Sequence, residues 1–154
     1  MISPIFIDAS IPIYAAGRAH ALKEPCAQII LAIATQPSFF LTDVEVLQEL
    51  MHYYRSRSRW AEGRDVVQDL AALMQERVEP MYDNDVRRAA ALADAYRDLE
   101  ARDLFHLALM ERLGVQRIVT ADRDFDTVSF VKRLDPLDFE SWRAVLQPHP
   151  DEIS

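Results

Sequence analysis

At 154 residues, half of them hydrophobic, the chain is long enough to bury a core without disulfides or structural metal, which excludes a disordered segment. A formal charge of −8 excludes a protein that grips nucleic acid over its whole surface, since phosphate binding draws on lysine and arginine. The single cysteine, Cys26, excludes an internal disulfide and a paired-thiol zinc site. The start, Met1-Ile2-Ser3-Pro4, has no basic leader, and apolar runs such as Ile29 to Ala34 are too short to cross a bilayer. These features lead us to expect a cytoplasmic protein with no membrane association.

In chain order, Ile5-Phe6-Ile7-Asp8 reads as a strand ending on an acid, and Ser10 and Pro12 open a helix. Helical spacing from Pro25 to Thr35 precedes a second strand, Phe39-Phe40-Leu41-Thr42, closed by a capping residue. From Asp43 to about Arg55, the stripe Val46, Leu47, Leu50, Met51 and Tyr54 predicts a helix with Glu49 beside its apolar face. Residues 55 to 59 supply a turn before a helix running to Glu76, and Val78-Glu79-Pro80-Met81 suits an edge strand. Asn84 or Asp85 then caps a long helix that buries Val86, Ala89, Ala90, Ala93 and Tyr96.

Asp103 opens a further helix with Leu104, Leu107, Ala108 and Leu113 inward and Gly114 as its left-handed C-cap. Val115 to Thr120 is a strand, followed by the acidic loop Asp122-Arg123-Asp124-Phe125-Asp126, and Val131 to Leu134 is a final edge strand. The alternation predicts an α/β fold with a mainly parallel sheet between helical layers. We expect one domain over residues 1–146 and a loose tail over 147–154.

In open α/β sheets, ligands bind beyond the carboxyl ends of the strands, where the strand order reverses. Asp8 and Asp122 end strands there, Glu49 and Asp103 lie on helices able to face the same crevice, and Asp126 follows Asp122 by four residues. Clustered carboxylates raise one another's pKa unless cations neutralise them. Magnesium or manganese is the expected remedy, because both prefer oxygen ligands and leave positions open for phosphate oxygens and water. Such a site suits phosphodiester hydrolysis. Taken singly, each acid has an equally good reading as a helix cap.

The segments Phe6-Ile7-Asp8-Ala9-Ser10, Val46-Leu47-Gln48-Glu49-Leu50, Ala101-Arg102-Asp103-Leu104-Phe105-His106-Leu107-Ala108 and Thr120-Ala121-Asp122-Arg123-Asp124-Phe125-Asp126 resemble the four signature blocks of PIN domains, in order and spacing. The resemblance runs from about Ile5 to Leu137. It implies a PIN-like α/β/α sandwich with Asp8, Glu49, Asp103 and Asp122 as catalytic and metal-binding core, Asp126 as an outer ligand, and Ser10 and Thr120 as supporting hydroxyls. It further implies a Mg/Mn-dependent endoribonuclease similar to VapC toxins, homodimeric and silenced by a cognate antitoxin.

Glu49 with His52, and Asp103 with His106, sit three residues apart on helical faces. The family pattern does not use histidine as a ligand, so packing or hydrogen bonding is the expected role of both. Of the seventeen basic residues, Arg55, Arg57, Arg59 and Arg64 fall in one short stretch and form either an RNA-steering patch or a solvated helix end. A di-iron helix bundle would need an all-helical chain, which the strand runs oppose. Phosphatase and receiver-domain readings lack the second acid each requires. The remaining alternative is a catalytically silent PIN-like protein that binds RNA or acts as a scaffold.

Overall fold

The computed structural model describes residues 3–147, so most of the tail expected over 147–154 lies outside the described residues. Five short parallel strands form the centre: β1 (Ile5–Ile7), β2 (Phe40–Asp43), β3 (Val78–Glu79), β4 (Arg117–Val119) and β5 (Lys132–Leu134). They lie in the order β3-β2-β1-β4-β5. Ile5 stands opposite both Phe40 and Arg117, and Ile7 opposite Val119. All three residues of β1 are buried, as a strand covered on both faces requires.

Helices α1 (Ser10–Ala16), α2 (Lys23–Thr35), α3 (Val44–Ser56), α4 (Trp60–Leu73), α5 (Asp83–Leu92), α6 (Ala101–Leu113) and α7 (Phe139–Trp142) surround the sheet. They pack largely as neighbours, α1 on α2, α3 on α4 and α5 on α6. Helix α6 is the most buried of these pairs' members, with Leu104 and the unbroken run His106 to Met110 inaccessible. Gly114 ends it at φ 69°, a left-handed turn that a side chain would strain. The result is the three-layer α/β/α arrangement expected from the sequence.

The chain runs outward from β1 through β2 to β3, then returns to the other side of β1 as β4. The order therefore reverses at β1 and β4, which places a crevice beyond their carboxyl ends. Asp8 follows β1 and Thr120 follows β4, so topology alone brings these two residues together.

Four local expectations change. Asp43, rather than Thr42, caps α3, its Oδ1 accepting the Val46 amide at 2.9 Å. Helix α4 ends at Leu73, three residues short of Glu76. Helix α5 ends at Leu92, and Val86 and Ala90 face solvent, Val86 with 42% of its surface exposed. Its inward stripe is Asp85, Ala89 and Leu92, because the Asp85 carboxylate takes the Arg112 guanidinium of α6 at 2.8 and 3.1 Å. Leu113, expected to face inward on α6, is also exposed.

Candidate metal centre

The crevice is a cleft of about 290 Å³ lined by Asp8, Glu49, Asp98, Glu100, Asp103, Asp122 and Asp124, with Ser10 and Ile13 as its only other walls. No cation lines it. Four of the acids, Asp8, Glu49, Asp103 and Asp122, are those the sequence singles out; Asp98, Glu100 and Asp124 are additions.

Asp8 is buried, and its Oδ2 accepts two hydroxyls, Thr120 Oγ1 at 2.7 Å and Ser10 Oγ at 3.0 Å. Thr120 in turn accepts the Asp122 amide at 3.1 Å, and Ser10 accepts the Ala121 amide at 3.2 Å. The β4 exit is thus tied to the β1 exit through two hydroxyls. Hydrogen bonds to a charged acceptor are the stronger kind, and here they fix the orientation of one carboxylate. Asp122 is turned by its own loop, Oδ1 accepting the Asp124 amide at 2.9 Å.

Asp103 is the third residue of α6, and its Oδ2 accepts the Glu100 amide at 3.3 Å as half of a capping box. That bond and the nearby His106 favour its ionised form, but burial, with Asp8 and Asp122 alongside, outweighs them and pushes its pKa up to about 7. Burial also raises Asp122, helped by Asp124, Asp8 and Glu100 against the opposing Asp124 amide. The cleft therefore holds more negative charge than it stabilises unaided.

Behind the acids lies a polar pair that the sequence did not predict. His106 is fully buried, its ring stacked obliquely on Phe6, and its Nδ1 lies 2.6 Å from Asp43 Oδ2. Its Nε2 faces Glu49 Oε2 at 3.6 Å, just beyond hydrogen-bond range. Burial works to lower the imidazole pKa, but Asp43, then Glu49 and Asp8, carry it well above its ordinary value. These carboxylates favour the protonated imidazole, which lies between Asp43 and Glu49. The expected hydrogen-bonding role holds for His106, whereas His52 is exposed and lines neither this cleft nor the one beside it. The signal for Asp43 was its place at the end of β2, equivalent to that of Asp8 at the end of β1.

The structure does not bring Asp126 into the cleft. Residues Arg123–Thr127 form a 3-10 helix, and Asp126, 54% exposed in its side chain, is clasped by Arg133 of β5 at 2.9 and 3.3 Å. Asp124 lines the cleft instead. Of the arginines, Arg55 is exposed, while Arg57 and Arg59 line a neighbouring cleft, Arg59 bound by Glu62 at 2.7 Å and Arg57 lying 3.8 Å over the Tyr53 ring.

The residues present suit a hard divalent cation. Asp8, Glu49 and His106 each offer an atom within 4.8 Å of the others, and Glu49 Oε2 and His106 Nε2 are buried with no hydrogen-bond partner. The other acids lining the cleft, Asp103 and Asp122, add carboxylate oxygens, the donors that magnesium and manganese prefer.

The sequence profile of the PIN domain matches residues 5–131. The chain belongs to the PIN domain family. Among PIN domain proteins it is 32% identical over 133 residues to VapC ribonuclease Mb1869c of Mycobacterium bovis and to ribonuclease VapC13 of Mycobacterium tuberculosis, covering 84% of this chain and 98% of each relative. Ribonuclease VapC23 of M. tuberculosis is 33% identical over 118 residues, 77% of this chain and 92% of its own. The PIN fold is shared with M. tuberculosis VapC20, described as a sarcin-ricin loop cleaving toxin, at a TM-score of 0.67 and 21% identity over 82% of this chain and 96% of that one. A toxin-antitoxin complex from Klebsiella pneumoniae aligns at a TM-score of 0.59 and 17% identity, covering 86% and 97%. Among the described residues of this PIN domain, no helix is long and apolar enough to cross a membrane.

Proposed function

We propose that this PIN domain is an endoribonuclease that hydrolyses RNA phosphodiester bonds with magnesium or manganese bound in its acidic cleft. The observation that carries the reading is the convergence of Asp8, Glu49, Asp103 and Asp122 on one cleft where two carboxyl groups are held above their ordinary pKa. The four carboxylates would hold the cation, which when bound neutralises phosphate charge and activates water.

The chain's own residues do the rest. Thr120 and Ser10 hold the Asp8 carboxylate to one face of the cleft, so its orientation is set before substrate arrives. His106 ties α6 to the end of β2 through Asp43 at 2.6 Å and stands 3.6 Å behind Glu49, and Arg102 approaches the same Glu49 at 4.0 Å, so cationic groups offset charge at the rear of the cleft.

The VapC relatives extend the proposal to a toxin of an operon-encoded pair, acting in the cytoplasm as a homodimer and held inactive by an antitoxin. Purified protein incubated with a mixed structured RNA pool tests the chemistry. Cleavage should require magnesium or manganese, stop with chelator, and fall at least a thousandfold in Asp8→Asn and Asp103→Asn variants, roughly the scale of losing a major electrostatic contributor. An uncut pool with folded wild-type protein would instead favour a silent RNA-binding or scaffold role.

A further inference from the structure

Beside the acidic cleft lies a second, larger one of about 730 Å³, within the ~300–1,000 Å³ span of small-molecule sites. The two are continuous: Ser10 and Ile13 form a wall of both. Their chemistry is opposite. Among the described residues no acid lines the second cleft, which presents Tyr14, Arg18, His20, Tyr53 and Arg57 between α1 and the α3–α4 turn.

The aromatic groups are held in place. Tyr14 and His20 lie with ring centroids 4.9 Å apart, and His20 Nδ1 accepts the Leu22 amide at 3.0 Å, which fixes the ring and leaves its outer nitrogen to donate. The Lys23 ammonium donates to the Gly17 carbonyl and tethers the loop that carries Arg18 and His20. Tyr53 is half-buried under the Arg57 guanidinium at 3.8 Å. Among the described residues, neither Arg18 nor Arg57 is in an ion pair, unlike Arg59, which Glu62 occupies.

We propose that this cleft is a nucleotide subsite, in which Tyr14 and His20 stack an unpaired RNA base next to the scissile bond while Arg18 and Arg57, the latter seated on Tyr53, take the adjoining phosphates. The proposal rests on the nuclease reading for its direction along the strand. Aromatic faces reached from one side recognise splayed, single-stranded bases, and arginines track the backbone between them. The subsite also answers a difficulty of the acidic cleft, which repels phosphate: the neighbouring cations supply attraction that a chain of net charge −8 otherwise lacks.

The test uses the full-length Asp8→Asn protein with magnesium and a short fluorescent single-stranded oligoribonucleotide, followed by anisotropy. Adding His20→Ala or Arg57→Gln should weaken binding roughly tenfold each. Arg87→Gln, a charge-matched change on the exposed face of α5, should leave it unaltered. In the wild-type background the same two changes should raise KM with kcat nearly constant. Binding that ignores both changes, absent binding, or equal affinity for duplex would overturn the subsite. Whether wild-type protein cleaves is read separately, so the nuclease reading can stand or fall alone.

Discussion

Asp103 carries the most informative single charge. Its carboxyl titrates near 7 in the folded chain, against about 4 when unfolded, because burial and the neighbouring Asp8 and Asp122 disfavour ionisation. Between those values the folded state binds the extra proton, so metal-free stability should fall as pH rises from about 4 to about 7, and His106, whose pKa is also raised, carries the fall on above that window. Asp103→Asn should make the slope between about 4 and 7 shallower, leaving the smaller share of Asp122, a result that denaturant melts across pH in chelator would show. A slope unchanged by the substitution would place the charge elsewhere. Asp8, Asp103 and Asp122 were readable from sequence because each marks the end of a strand or the start of a helix. The Asp43–His106 pairing was not, since it needs α6 laid across the end of β2. Asp126 was misplaced because spacing of four suits an α-helix, while residues 123–127 form a 3-10 turn and Arg133 captures the carboxylate.

At the scale of elements, α3 and α4 meet without a spacer. A Cβ built on Gly63 would lie 2.3 Å from Tyr54 Cβ, so the helices touch backbone to side chain. Alanine ordinarily gains about 1 kcal/mol over glycine within a helix, but forcing a buried ring aside costs about 3 kcal/mol. Gly63→Ala should thus destabilise by about 2 kcal/mol, lowering Tm by roughly 6 °C. The displaced Tyr54 also lines the aromatic cleft, so RNA affinity should weaken alongside. Calorimetry and anisotropy on one preparation check both. Elements in general were legible where hydrophobic period and caps agreed, as at α6 and Gly114. Helix α5 was not, because its inward stripe begins with Asp85, a charge that counts as interior only once Arg112 is seen opposite it.

Over the whole molecule, charge is sorted into adjoining regions, an acidic cleft at the switch point of the sheet and a cationic aromatic one beside it. Such an arrangement trades stability for function, since the acids repel until a cation joins them. Two measurements on the same variants should therefore move in opposite directions. In chelator, Asp103→Asn should melt higher than wild type at pH 7.5, having lost a repelling charge. With free magnesium or manganese at roughly a hundred times its Kd, wild type should gain about 2.7 kcal/mol, or about 8 °C, and Asp103→Asn far less. Monovalent salt at equal ionic strength should reproduce little of the wild-type gain, because screening weakens the repulsion without supplying a bound counter-charge. Equal gains in both proteins would mean that Asp103 takes no part in holding the cation, and the acids would then have to be ranked anew from Asp8 and Asp122 outward.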